Sequence, residues 1–499
     1  MVWKREGVQV FRREIYRGIH VDYWIAIVFF FFFTANMKLI VSRLHCTRFA
    51  SLRHFSAKPK AVLDDAVSTS ISNNEMKYRH HPGVIARTPV FPKWALKEIH
   101  DVLKEKRIVL KDINESAKKL VQHLNKRHPP LEQHMLPEKL LKVVDRLNLN
   151  NPGEGITMED IDFKKDAKSR IILKQNVYNW QPINFDKLTC LTYLVARGVQ
   201  NYAVLHRIFD EIKLRDKDFR PQTLFDFGSG VGTVMWAASE IWSNTLKEYF
   251  CVESSESMIE LSERLAKAAR PKIKEVYYRQ YFPLSMNRTY DIVVSAYSLF
   301  ELPGMASRIE TLLKLWTKTE NYLIIVEEGT NAGFKLVNEA RSFILKYANS
   351  KRRRGTQFAH VFSPCPHDLK CPRFITDDTP CNFNVLYHPM QFLGGSKHKP
   401  ELYSYVVLKK SKRPEDDKQW PRIVRAVLNR NNHTICRMCT NSGELKEEIF
   451  TKYKHGRHMY RCAKTSKWGD RLPLHFEQQE SPEDVETVSE IATKNEENT

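Results

Sequence analysis

Cysteine is scarce in this chain, nine in 499 residues, and unevenly spread. That excludes the dense disulfide framework of a small secreted scaffold. Long apolar runs are scarcer still. The longest, Tyr23 to Met37 with its five consecutive phenylalanines, holds fifteen residues, short of the roughly 20 that cross a bilayer as a helix. A short anchor or the apolar part of a secretory signal is the alternative reading of that run; no stable membrane insertion is expected. Acidic residues are missing from Met37 to Leu63, where Lys38, Arg43, Arg48, Arg53, Lys58 and Lys60 fall among several Ser and Thr. That is the composition of a mitochondrial presequence. On this reading translation starts at Met37, residues 1–36 are an upstream extension, and processing falls near Phe55.

Acid is also short overall. Lys and Arg number 79 against 58 Asp and Glu, for a formal net charge of +21. The segment Glu477 to Thr499 carries eight acids and one Lys, leaving the preceding chain at about +28. A surplus of that size favours a polyanionic partner, RNA above all, because each phosphate contact releases condensed counterions. A merely solvated basic surface is the bland alternative. The 42% apolar content suffices for at least one sizeable core.

Residues 61 to about 90 show no hydrophobic period and read as an extended basic arm. From Pro92 to about Leu214, apolar residues recur at spacings of three and four, as at Leu120, Val121 and Leu124 and again at Leu140, Leu141, Val144 and Leu147. That pattern predicts a helical amino-terminal domain, with Lys104, Lys106, Arg107, Lys118, Lys119, Lys126 and Arg127 on its outer faces. After Arg220-Pro221 the pattern changes. Strands are expected at Thr223–Phe227, Glu248–Val252, Val276–Arg279, Tyr290–Ala296 and Tyr322–Glu327. Helices are expected between them, at Val234–Trp242 and Met258–Ala269, and a closing strand at Leu402–Leu408. Such alternation implies an α/β, doubly wound parallel sheet with its ligand crevice at the strands' carboxyl ends.

The loop Asp226-Phe227-Gly228-Ser229-Gly230-Val231-Gly232 joins the first strand of that sheet to its first helix. Alternate glycines let the backbone turn sharply and approach a ligand. Glu253 ends the next strand, where a carboxylate can accept both hydroxyls of a ribose. An acid at Asp226 repels a pyrophosphate but can engage the cationic amino group of a methionine moiety. S-adenosylmethionine is therefore favoured over a dinucleotide, with Gln280 and Ser295 placed near its adenine and methionine ends. The segment Ser295-Ala296-Tyr297-Ser298-Leu299-Phe300-Glu301-Leu302-Pro303 offers no evident nucleophile or base. Glu301 reads as a structural acid, so cofactor binding is better supported than catalysis.

Six of the nine cysteines fall between Cys365 and Cys462. Cys365, Cys371, Cys381, Cys436 and Cys439 compete for four places around zinc or an iron–sulfur cluster, with His367 and His433 as substitutes and free buried thiols as the alternative. In so polar and loop-rich a region, ligation is expected to supply much of the folding energy. Lys351, Arg352, Arg353 and Arg354 precede the site. Lys452, Lys454, Arg457 and Arg461, interleaved with Tyr453, His455, His458 and Tyr460, follow it in a mixture suited to phosphate contact and base stacking.

The stretches Pro221 to Gly230, Asp291 to Ala296, Pro364 to Pro372, Tyr460-Arg461-Cys462-Ala463 and Trp468-Gly469-Asp470 resemble the methyltransferase-like protein 17 family, assembly factors of the mitochondrial small ribosomal subunit. The resemblance covers roughly residues 80–475. It implies a class I methyltransferase (Rossmann-like) fold that binds S-adenosylmethionine, a 4Fe-4S cluster, and binding to small-subunit ribosomal RNA in the mitochondrial matrix in support of translation. Carried over by position, the cluster ligands fall on Cys365, Cys371, Cys381 and Cys439, with Cys436 and Cys462 as bystanders.

The expected organisation is then an extension and presequence (1–60), a basic arm and helical domain (61–215), and a methyltransferase-like domain (216–410) with a Cys-rich insertion (351–390). A basic extension completing the metal site (411–476) and a disordered acidic tail (477–499) follow. The free protein is expected to be monomeric, with ribosomal RNA and proteins of the small subunit as partners. An active ribosomal RNA methyltransferase and a zinc-stabilised protein-binding scaffold are the competing functions.

Overall fold

The computed structural model describes residues 60–85, 88–130, 132, 141, 144–145, 148, 180–283, 287–350, 358–376, 379–394 and 397–477. The presequence, most of the helix read around Leu140 to Leu147, the Lys351–Arg354 run and the acidic tail beyond Glu477 lie outside the described residues.

The chain enters through β1 (Lys60–Leu63) and α1 (Asp65–Ser72), then helices α2 (Lys93–Glu105), α3 (Leu110–Asn125) and α4 (Lys187–Arg215). The alternating part follows as β2 (Thr223–Phe227), α5 (Thr233–Ile241), β3 (Glu248–Val252), α6 (Glu256–Ala268), β4 (Glu275–Arg279) and β5 (Tyr290–Ala296). It continues through α7 (Met305–Lys318), β6 (Thr319–Glu328), α8 (Asn331–Ala348), β7 (His360–Ser363), α9 (Pro372–Thr376), β8 (Phe383–Tyr387) and β9 (Lys399–Lys409).

These strands make one sheet in the order β4-β3-β2-β5-β6-β9-β7, with β8 pairing the first half of β9. Strands β2 to β6 pair in parallel, whereas β9 runs antiparallel to both β6 and β7. Successive residues of each central strand face opposite helical layers, as a pleated strand requires. Leu224, Ile292, Val294, Ile324 and Val407 meet the layer of α2 to α6. Phe225, Val293, Leu323, Ile325 and Val406 meet α7 and α8. Because both faces are covered, the strands are continuously apolar, the pattern of a buried parallel sheet.

Two expectations are corrected here. The helices after Pro92 form, but as one layer of the sheet's own core and not as a separate domain: Ile99, Val102, Ile113, Tyr202 and Phe209 share a cluster with Leu224 and Ile324. Residues 60–85 are not an extended arm. β1 pairs antiparallel with β14 (Leu474–Glu477), Lys60 opposite Glu477 and Leu63 opposite Leu474. Asp64 caps α1 through the Val67 amide and binds Lys418 at 3.0 Å. The partners of this segment lie some four hundred residues downstream, so no local period could announce it.

The carboxyl-terminal part is likewise not loop-rich. Short strands β10 (Arg422–Ile423) and β11 (Leu428–Asn429) flank β12 (His433–Cys439), which also pairs along its length with β13 (Leu445–Thr451). Helix α10 (Lys452–Thr465) packs beneath. Ile423, Cys436, Met438, Phe450, Tyr460 and Cys462 form an apolar core with Leu63, Val67 and Ile71 of the entering segment. An apolar core is therefore present in the region where metal ligation was expected to supply much of the folding energy.

Candidate functional site

The sequence places two constellations on this frame. The first lies at the carboxyl end of β2, between its neighbours β3 and β5. Gly228, Gly230 and Gly232 all adopt positive φ, at 73°, 52° and 94°. A β-carbon on Gly228 would stand 2.5 Å from that of Ser298, and one on Gly232 would stand 2.8 Å from the Ser262 hydroxyl. At Gly230 it would meet nothing within 4 Å. The first and third glycines thus pack the loop against the protein, and the middle one faces open space.

Asp226 is fully buried, and neither of its carboxylate oxygens has a hydrogen-bond partner. Burial, and after it the Glu253 carboxylate, push its pKa well above the usual carboxylate range. Burial thus favours its neutral form, and a cation brought against it would favour the ionised one. Glu253 Oε2 accepts the Gly230 amide at 2.9 Å, and its Oε1 accepts the Ser255 amide at 2.9 Å. Oε1 also accepts the Ser254 hydroxyl at 3.4 Å, while Oε2 keeps a second lone pair, so the clasp fixes the loop and leaves acceptor capacity on that oxygen. Ser229 is buried beside it. Ser295 is fully buried, its hydroxyl 2.6 Å from that of Ser298, whose β-carbon packs under Gly228. Gln280 is exposed just past β4.

Beyond β5, Glu301 binds Arg127 at 2.5 Å and accepts the Ile183 amide at 3.3 Å, so the one candidate base in that segment is committed to holding the helical layer. Sequence reasoning missed Tyr297, which takes a positive φ of 58° directly after β5 and carries the buried Arg197 guanidinium 5.1 Å over its ring. Positive φ at a bulky residue is a conformation sequence patterns do not announce.

The second constellation lies where the loop between β7 and β8 meets β12. Cys365, Cys371, Cys381 and Cys439 line one small cavity together with Arg373 and Arg422. Cys436 and Cys462 do not join it; both are fully buried in the carboxyl-terminal apolar core. His367 is buried with its Nε2 3.3 Å from the Cys439 sulfur. His433 sits at the far end of β12, opposite Thr451. Among the described residues, no three His, Cys, Asp or Glu side chains are arranged to hold a metal ion.

Arg341 of α8 escaped the sequence reading because nothing in a helix interior marks its partner. Its guanidinium is buried and donates to the carbonyls of His367 and Leu369 at 3.0 and 2.8 Å, fixing the cysteine loop. On the other side Arg422 donates to the Pro364 carbonyl at 2.9 Å and pairs with Glu211 of α4 at 2.6 Å, both side chains almost wholly buried. Glu211 also accepts from Arg215, Ser363 and Tyr405. One carboxylate thereby ties α4, the cysteine loop, β9 and the carboxyl-terminal sheet together.

The strand order, the antiparallel β9 and the glycine loop at the end of β2 define a methyltransferase-like α/β domain of the class I type, carrying an added carboxyl-terminal β unit. Residues 187–473 match the family model described as mitochondrial small ribosomal subunit Rsm22. The chain is 39% identical over 359 residues, 71% of its length and 77% of the relative's, to the mitochondrial ribosome assembly protein METTL17 of Homo sapiens. It is 27% identical over 360 residues, 63% of this chain and 47% of the relative, to the mitochondrial Rsm22-cox11 tandem protein 2 of Schizosaccharomyces pombe. The chain belongs to the Rsm22 family. Solved structures matched in part include a putative RNA methyltransferase from Pyrococcus horikoshii, at 12% identity and TM-score 0.26, covering 48% of this chain and 94% of that one. The magnesium protoporphyrin IX methyltransferase of Synechocystis with bound SAM matches at 11% identity and TM-score 0.28, over 46% of this chain and 100% of that one.

Proposed function

We propose that this chain is an assembly factor of the mitochondrial small ribosomal subunit, working in the matrix, that binds small-subunit ribosomal RNA and does so with little or no methyl transfer of its own. The observation that carries the reading is the family match, which runs without a break across the sheet, the cysteine loop and the carboxyl-terminal unit. Two relatives named for ribosome assembly or Rsm22 are both mitochondrial. The surplus of cations supports an RNA partner.

S-adenosylmethionine fits the crevice. Asp226, buried and unpartnered, would take its cationic amino end, Gly230 would leave room for its approach, and Glu253 would meet its ribose. When bound, it supplies an activated methyl group. In the segment directly after β5 the one acid, Glu301, is paired with Arg127.

A four-iron cluster would be held by Cys365, Cys371, Cys381 and Cys439. These thiols share a cavity with buried arginines that can offset the cluster's negative charge. Zinc on the same four thiolates is the alternative.

Gradient sedimentation of mitochondrial extract tests the function. The protein should travel with immature small-subunit particles, and its loss should lower mature small subunits and translation. Mature subunits that persist unchanged without it would overturn the assembly reading, and a ribosomal RNA methylation lost together with Asp226→Ala would restore the enzyme one.

A further inference from the structure

Among the cations that follow the cysteine loop, the structure separates the side chains that serve the core from those that serve nothing within the chain. Helix α10 is broken at Gly456, whose φ of 75° and ψ of 164° lie in a region open essentially to glycine alone. Every buried residue of the helix, Met459, Tyr460, Cys462 and Ala463, follows the break. The turn before it, Lys452 to His455, is capped by Thr451 and buries little.

The aromatic residues divide in the same way. Tyr460 is buried between Lys452 and Lys464. His458 packs on Tyr78, and His455 turns back to Glu448 and the Thr451 amide. Tyr453 alone points away, with a relative exposure of 102%, and makes no hydrogen bond or ring contact among the described residues. A single exposed tyrosine is ordinary surface. This one stands between Lys452 and Lys454, the latter 3.1 Å from Glu448, and four residues before the exposed Arg457 across the Gly456 break, in a segment with no acid from Lys452 to Thr465.

We propose that Tyr453 is a stacking platform for an unpaired base of single-stranded RNA, with Arg457 taking the adjoining phosphate. The proposal rests on the RNA-binding reading above and adds to it the element, the face and the strandedness of the ligand. A ring presented edge-free to solvent and flanked by cations matches the way sequence-tolerant single-strand sites hold bases, by stacking and not by hydrogen-bond readout. A duplex keeps its bases stacked on one another and offers such a ring no face to cover. Because the ring supports nothing in the fold, its removal leaves the core intact.

The test is binding of the full-length protein to a single-stranded RNA oligomer and to a duplex of the same length, followed by fluorescence anisotropy across salt concentrations. Tyr453→Ala should weaken the single strand by roughly 5- to 150-fold and leave the duplex unchanged. Tyr453→Phe should retain wild-type affinity, because stacking needs the ring and not the hydroxyl. Arg457→Ala should lower the slope of log affinity against log salt by about one. If the wild type binds the single strand and Tyr453→Ala binds it equally well, the platform is wrong while the RNA reading stands. If the wild type binds neither RNA, the RNA reading fails first.

Discussion

The sheet core and the carboxyl-terminal core of this chain are built on different principles. In the sheet, neighbouring strands and their helices follow one another in sequence, and residue after residue of β5 and β6 is fully buried. The carboxyl-terminal unit is smaller and borrows part of its core from the other end of the chain. Leu63, Val67 and Ile71 complete it, the Ile85 amide binds Asp470, and Gly83 accepts the Arg471 amide. Small cores cannot bury enough of their own surface to stand alone. The unit is therefore stable only while its tethers to the rest of the molecule hold, and each tether can be cut separately.

The deepest tether is Glu211. Burial alone would raise its pKa, but Arg422 and Arg215 outweigh that and bring it down to about 2. Glu211→Ala leaves Arg422 buried without its partner, which typically costs about 3–5 kcal/mol. Urea unfolding should show the whole loss, and limited proteolysis should find the carboxyl-terminal unit opening first. The pH dependence has a definite sign. A carboxylate with a depressed folded pKa contributes stability above its unfolded value of about 4.5 and loses it as the pH falls toward about 2. In Glu211→Gln that segment of the acid limb should flatten. A protein as stable as wild type after Glu211→Ala would break the contrast between the two regions.

Within the sheet the glycines sharpen the contrast. Gly228→Ala forces a β-carbon onto Ser298 and should destabilise by about 2–4 kcal/mol, combining left-handed strain with overpacking. Gly230→Ala meets no protein atom and should cost only the strain, about 1–2 kcal/mol, yet it should abolish S-adenosylmethionine binding in titration calorimetry. Equal affinity in wild type and Gly230→Ala would remove the crevice from the site. The cysteines divide along the same line. Cys439→Ser should lower bound iron and acid-labile sulfide after anaerobic purification. Cys436→Ser should leave the metal content unchanged and cost about 1–3 kcal/mol for a hydroxyl buried among apolar side chains.

The difference between the regions also governs what could be read from sequence. Thr223–Phe227, Glu248–Val252 and Tyr290–Ala296 were legible to the residue, because a covered parallel strand announces itself as a short apolar run closed by glycine or acid. Strands β10 to β13 were not. Their alternation is masked by charged outward residues such as Arg437, Glu447 and Glu448, which pair across the sheet or with α10. β1 and α1 were misread as an arm because their apolar positions find partners far downstream, among them Phe450, Leu472 and Leu474. At the candidate site the sequence pattern pointed to side chains on strand ends and loops, such as Asp226 and Cys365, and missed those reaching in from helix interiors. Arg341, Arg197 and Glu211 occupy positions where a charged residue normally faces water, and only the tertiary structure turns them inward.

The mildest expected effect concerns His81, another clasp on the carboxyl-terminal unit. Its Nδ1 accepts the Gly83 amide at 3.2 Å, so the neutral ring carries its proton on Nε2 and donates to the Ser466 hydroxyl at 2.9 Å. Ser466 in turn donates to the Cys462 carbonyl. Protonating the ring would replace an acceptor with a donor facing another donor, and burial pushes the pKa down to about 4 from its usual 6.5. A histidine held neutral in the fold contributes stability above about 6.5 that is lost as the pH falls toward 4, because the unfolded chain takes up the proton first. At pH 5.5 the loss should be about 1.4 kcal/mol, short of the loss expected for Glu211→Ala. His81 acts from about 6.5 down to about 4 and Glu211 from about 4.5 down to about 2, so an acid titration of thermal stability separates most of the one from the other. His206, His360, His367 and His455 are also pushed down by burial and share the upper step, so His81→Gln, which keeps an acceptor and a donor but cannot titrate, should shrink that step and leave the lower one. An upper step of unchanged size in His81→Gln would detach this clasp from the tethering of the two ends.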